Sequence, residues 1–241
     1  MRLWYFVPIL PVCILLARKE KVPESSNILV TGFGPFGIHN VNASWEAVKS
    51  LPDKIQGYRI IKEEIPVSYK HVEDNIPLLW LQYQPKLVVH VGVSALAEEI
   101  TIETCSNKTG YLRPDVEEKC LPNSEARCGT DHCLKTGIST KAICERVNKH
   151  PKIKACTSAD AGRYLCEYIY YISLNQDNKR TLFIHVPPLD KPYSKAELTE
   201  ALEEVIKAAL ELISEEEKGY DYYLPPEASR IYKNGRAAAM T

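Results

Sequence analysis

NILVTGFGPFG, residues 27–37, decides the reading of this chain. Asn27 to Thr31 is a short apolar run with β-branched residues, the mark of a strand. It runs into Gly32-Phe33-Gly34-Pro35-Phe36-Gly37, which breaks regular structure, and the next helix caps are Asn42 or Ser44, opening a segment to about Leu51. The order then repeats. YRIIKEEI at 58–65 and KLVVHVG at 86–92 read as strands, and Val72, Ile76, Leu79 and Trp80 give helical spacing from about Tyr69 to Tyr83. Such alternation predicts an α/β fold: a single-domain three-layer sandwich, its mostly parallel twisted sheet covered by helices on both faces.

Working outward, EITIETC at 99–105, KIKACTS at 152–158 and TLFIHV at 181–186 read as further strands. Helices are expected at 137–149, 164–174 and 194–215, the last with Leu198, Leu202, Val205, Ile206, Ala209, Leu210 and Ile213 on one stripe. Residues 106–136 have no period and form a long irregular, cysteine-containing loop. The domain is expected over 27–219, with a loosely ordered tail at 220–241. Before it, Met1-Arg2 followed by LWYFVPILPVCILLA reads as a charged segment, an apolar segment and a small residue at Ala17, and RKEKVPESS at 18–26 as a polar linker. A secretory signal or anchor and an inert extension remain equal readings of that lead. It is short of the roughly 20 apolar residues of a spanning helix, and holds Pro8 and Pro11.

The chain of 241 residues is 45% hydrophobic, enough for one sizeable core. Its 30 basic and 31 acidic side chains leave a net charge of −1, so no global field favours nucleic acid or an anionic membrane. Eight cysteines are too sparse for a disulfide scaffold, and free thiols are the default.

The glycine loop matches G-x-G-x-x-G, the dinucleotide-binding pattern, but the helix does not open within the glycines, as pyrophosphate binding requires. Two phenylalanines line the loop, and Asp53, the acid at the right distance, falls in a turn instead of at a strand end. An aromatic-lined pocket for a small neutral ring is the better functional reading, burial of Phe33 and Phe36 in the core the plain one. No organic cofactor is expected.

Cys166 is set apart by position. It follows a strand and the turn Asp160-Ala161-Gly162 and opens CEYIYYISL, where helix N–H groups favour a thiolate and Arg163 is close by. His185 ends the strand TLFIHV ahead of Pro187-Pro188, at a carboxyl end where open α/β sheets build their sites. In Ile100-Thr101-Ile102-Glu103 the alternation sends the isoleucines to one face and Thr101 and Glu103 to the other. Glu103 could then orient His185, which would activate Cys166. The plain alternatives are a packing cysteine, a core histidine and a solvated glutamate. His90, inside a buried strand, reads as a satisfied core residue.

GFGPFG with VNASWEAV, then VVHVGVS, DAGRYLC and FIHVPPL, occur in an order and at spacings that resemble the type I pyroglutamyl peptidases, animal members included, over roughly Asn27 to Ile213. The resemblance implies a cysteine exopeptidase that hydrolyses the bond after an N-terminal pyroglutamyl residue, with Cys166 as nucleophile, His185 as base and Glu103 as orienting acid. It implies that Phe33 and Phe36 sandwich the lactam ring, that the backbone near Val93 meets its polar edge, and that Tyr164 and Leu165 complete the pocket. Peptides with N-terminal pyroglutamate are the implied partners, without nucleic acid or metal, and self-association is open to such a protein. A membrane enters only if the apolar lead is retained. Family members are cytosolic, whereas the lead would direct a secretory route, in which disulfides among Cys105, Cys120, Cys128 and Cys133 become natural. Zinc there is a weak reading, since no paired C-x-x-C is present. A silent homologue binding pyroglutamyl peptides, or a secreted interaction protein, is the rival reading.

Overall fold

Runs of β-branched residues become strands because the residues between them carry helix caps that turn the chain back across the sheet. In the computed structural model, residues 26–37 and 41–223 are described, with side chains to residue 218. Strand β1 (Asn27–Phe33) is followed by helix α1 (Ala43–Lys49), a short strand β2 (Lys54–Ile55), β3 (Tyr58–Ile65), α2 (Tyr69–Tyr83) and β4 (Leu87–Val93). Then come β5 (Ile100–Glu103), β6 (Cys105–Asn107), β7 (Cys133–Lys135), α3 (Thr140–Val147), β8 (Ala155–Ser158), α4 (Leu165–Leu174), β9 (Thr181–Val186) and α5 (Lys195–Tyr223).

Seven strands form one sheet in the order β2-β3-β1-β4-β9-β5-β8. From β3 to β9 the neighbours are parallel, whereas β5 runs antiparallel to β9 and parallel to β8. On one face α1, α3 and α5 bury Ile28, Val30, Val89, Ile100, Ile102 and Ile184. On the other, α2 and α4 bury Leu29, Val88 and Phe183. The three-layer α/β sandwich read from the sequence is the fold observed.

Three details differ. The stretch 99–105 is two strands: β5 stops at Glu103, Thr104 donates its N–H to Ser158 O at 2.7 Å, and β6 leaves to pair with β7 in a separate two-stranded ribbon. The loop at 106–136 therefore has a closed root. Asp115 orders its middle, accepting from the N–H groups of Tyr69, Glu117 and Lys119 at 3.0, 2.9 and 3.0 Å. The last helix also continues to Tyr223, beyond the stripe that packs it. The lead over 1–25 and the tail beyond 223 lie outside the described residues, and among those described no helix is long and apolar enough to cross a membrane.

Register matters most at the site. Gly92 pairs with His185, His185 with Thr101, and Thr101 with Cys156, so these residues form one row across β4, β9, β5 and β8. Glu103 lies two rows on, opposite Phe183 and Ser158. Because alternate residues share a face, Thr101 and Glu103 stand with His185, while Ile100 and Ile102 enter the opposite core.

Candidate active site

The antiparallel pairing of β5 with β9 brings a carboxylate beside an imidazole. Glu103 Oε1 and His185 Nδ1 are 2.8 Å apart, and both residues are buried, at 1% and 8% exposure. Tyr170 Oη donates to Glu103 O at 2.9 Å and fixes the strand end. Cys166 stands beside the ring: its Sγ and His185 Cδ2 both border the space that a Cβ at Gly92 would fill, and both residues line the same cavity. Burial opposes an imidazolium here, but the hydrogen bonds to Cys166 and Glu103, and then their charges, outweigh it and lift the His185 pKa to about 10. The pKa shift favours the ring as a cation at neutral pH.

Gly92 makes room for this pair. A Cβ at that position would stand 2.7 Å from Cys166 Sγ, 2.9 Å from Phe183 Cζ and 3.4 Å from His185 Cδ2. No other residue type fits the row at β4 without moving sulfur.

Cys166 is the second residue of α4, whose N-cap Tyr164 has no side-chain capping bond. Glu167 takes over the terminus from inside: its Oε2 accepts the N–H of Arg163 at 2.7 Å, and its Oε1 accepts the N–H and Nδ2 of Asn107 at 2.8 and 2.9 Å. Arg163, at φ +51°, pairs with the same carboxylate and with Asp160. Its guanidinium is committed to Glu167 and Asp160 instead of Cys166, so Arg163 is not placed to give the support anticipated from it. The N–H groups of Leu165 and Cys166 lie in the first turn, where a helix offers no acceptor, and both residues line the cavity.

All eight expected site residues line one cavity of about 570 Å³: Glu103, Cys166 and His185, with Phe33, Phe36, Val93, Tyr164 and Leu165. The glycine loop is held there by a relay. Phe33 N–H donates to Ser44 Oγ, Ser44 Oγ to Asn42 Oδ1, and Asn42 Nδ2 to Gly34 O, at 3.0, 2.8 and 3.0 Å. Gly32 lets α1 approach, since a Cβ would meet Trp45 Cα at 2.7 Å. The glycines thus serve close packing and the turn. Sequence reading missed Arg113, which also lines the cavity, with its guanidinium 4.2 Å over the Tyr164 ring. Tyr164 Oη donates to Pro114 O and Tyr69 Oη to Arg113 O, both at 3.1 Å, so the aromatic wall is tied to the loop. An aperiodic segment gives no signal for that contact.

His90 is fully buried, hydrogen-bonded to Thr31 Oγ1 at 2.7 Å and Ser173 Oγ at 2.6 Å, and burial drives its pKa down to about 3. It is a neutral core residue, as its strand suggests. Among the described residues no group of three or more His, Cys, Asp or Glu side chains is placed to hold a metal, and the seven described cysteines are free.

A family model described as pyroglutamyl peptidase matches residues 26–211. Pyroglutamyl-peptidase 1 of Homo sapiens is 42% identical over 205 residues, 81% of this chain and 95% of that protein. The pyrrolidone-carboxylate peptidase of Thermococcus onnurineus is 34% identical over 192 residues, covering 75% of this chain and 94% of its own length. The crystal structure of pyroglutamyl peptidase I from Bacillus amyloliquefaciens superposes with a TM-score of 0.69 at 29% identity, over 77% of this chain and 95% of that one.

Proposed function

The chain belongs to the pyroglutamyl peptidase family, and from that premise we propose how its residues carry out the removal of N-terminal pyroglutamate from peptides. The enzyme is a hydrolase, a cysteine-type omega peptidase. Cys166 is the nucleophile. Its sulfur attacks the pyroglutamyl carbonyl carbon, a C–S bond forms, and the carbonyl π pair moves to oxygen, where first-turn N–H groups of α4 stabilise the charge. On collapse the C–N bond breaks and His185 gives its proton to the leaving amine. Water then attacks the thioester with His185 taking its proton, and collapse releases 5-oxoproline and restores the thiolate beside the imidazolium.

Glu103 is a positioning residue. Its charge at Nδ1 orients the ring and favours the imidazolium, and the proton is not passed to it. Phe33, Phe36 and Tyr164 enclose the lactam, with Val93 and Leu165 as neighbouring walls. A planar, neutral ring suits such a pocket, since it gains aromatic contact without leaving a charge unpaired.

The observation that carries the proposal is the contact series Glu103–His185–Cys166, assembled from three separate elements at the wall of one cavity. A silent homologue would have no need of a Gly92 that yields its Cβ volume to sulfur. The family resemblance supports a cytosolic location and free thiols suit a reducing compartment; self-association and any membrane role of the lead have no support in the described residues.

The test is release of 7-amino-4-methylcoumarin from its pyroglutamyl amide by the reduced full chain, beside Cys166→Ala. Turnover by the first alone assigns both reaction and nucleophile. Turnover by both, or by neither when both are folded, removes Cys166 from the mechanism.

A further inference from the structure

A second cavity, of about 520 Å³, adjoins the catalytic one and shares Leu96, Ala97 and Thr101 with it. Its position follows from the sheet. Beyond His185 in the register row stands Thr101, and beyond Thr101 stands Cys156, which lines this second cavity with Tyr193. Phe33, the aromatic residue that ends β1, lies on the other side of β4 from this row. With the acyl group seated there and His185 handing its proton to the amine, the leaving chain is directed along the row past Thr101.

The walls are chemically distinctive. Leu96, on the shared border, is 93% exposed, an apolar side chain with nothing of its own chain to cover it. Glu98 and Glu99 also line the cavity. Among the described residues neither carboxylate has a cation at ion-pair distance, whereas Asp160 in the catalytic cavity is paired with Arg163 at 3.0 Å and Glu103 is engaged by His185. Lys154, the one basic residue lining the second cavity, directs its Nζ to the carbonyls of Asn148 and His150, each at 3.4 Å.

We propose that this second cavity is the subsite for the leaving peptide, and that it selects pyroglutamyl peptides with an apolar residue followed by a basic side chain behind the scissile bond. The assignment rests on Cys166 being the nucleophile. The residue after pyroglutamate lies against Leu96, and the next side chain reaches Glu98 and Glu99. Exposed charge pairs contribute modestly, so two carboxylates favour a cation over an anion by about tenfold at low salt, less as salt screens them.

The experiment compares kcat/KM of the full chain on pyroglutamyl-leucyl-lysyl amide, -glutaminyl amide and -glutamyl amide, with the methylcoumarin amide as reference. Amidated ends keep a terminal carboxylate from masking the effect. The expected order is lysyl, glutaminyl, glutamyl, with the lysyl-to-glutamyl ratio near tenfold at low salt, falling to within about twofold in Glu98→Gln/Glu99→Gln. Equal rates on all three while the methylcoumarin amide is cleaved overturn the subsite and leave the catalytic reading standing, as does an unchanged ratio in the double variant. If the methylcoumarin amide is not cleaved, the catalytic reading has failed instead. Calorimetric titration of the same peptides into Cys166→Ala then decides the subsite by binding alone, and equal affinities overturn it.

Discussion

Gly92→Ala tests the site at its tightest point. The new methyl carbon would lie 2.7 Å from Cys166 Sγ and 2.9 Å from Phe183 Cζ, where relaxed carbon–carbon contacts need about 3.5–4.0 Å. Phe183 is fully buried and cannot give a full ångström cheaply, so sulfur moves by about 1 Å and the pairing with His185 is broken. A misplacement of that size costs about a hundredfold in rate, and overpacking the core costs about 1–3 kcal/mol of stability. Turnover of the pyroglutamyl methylcoumarin amide would report the first and urea unfolding the second. Loss should fall on kcat more than on KM, since the atoms nearest the new methyl belong to Cys166, Phe183 and His185 and none to Phe33 or Phe36. A Gly92→Ala protein within threefold of wild-type kcat would refute the placement of Sγ against β4 and with it the row that organises the site.

Three further outcomes are expected. Glu103→Gln should lower kcat by about a hundredfold or more and, by removing a charge that raises the His185 pKa, should move the alkaline limb of kcat/KM down from about pH 10; a limb that stays put would show that Glu103 does not act through the ring. Glu167→Gln, which turns an amide nitrogen toward N–H donors that the buried carboxylate accepts, should cost roughly 1–2 kcal/mol, read as a fall in Tm and in urea midpoint. Tyr164→Phe should lose about 1 kcal/mol of loop attachment while keeping the stacked Arg113, so faster proteolysis within 112–119 with little change in KM is the expected result.

How far the sequence reached depended on period and length. The long strands and α2 were legible because Val72, Ile76 and Trp80 all enter the core, as their spacing requires. Glu103 was legible through the parity of four residues alone. The ribbon of β6 and β7 was not, because three-residue strands carry no period, and neither was the shelter that Arg113 gives Tyr164. The direction of β5 was available in principle: the connection from Val93 to Ile100 is far shorter than the dozen residues a parallel crossover needs. Gly92 read only as part of an apolar run, since the need for a missing side chain arises from a helix that arrives more than seventy residues later.

His90, sealed between Thr31 and Ser173 on the strand next to His185, gives the fold a second response to pH. An unfolded histidine takes a proton near 6.5, but His90 refuses it down to about 3, so acid draws the chain toward unfolding as pH falls between those values. His185 does the reverse. It keeps its proton up to about 10, so the stabilisation it provides is complete below about 6.5 and drains away as pH rises toward 10. Each slope is worth up to about 1.4 kcal/mol per pH unit, and the two meet near the ordinary imidazole value. Tolerance of acid and tolerance of alkali are therefore set by two different histidines on adjacent strands of this sheet.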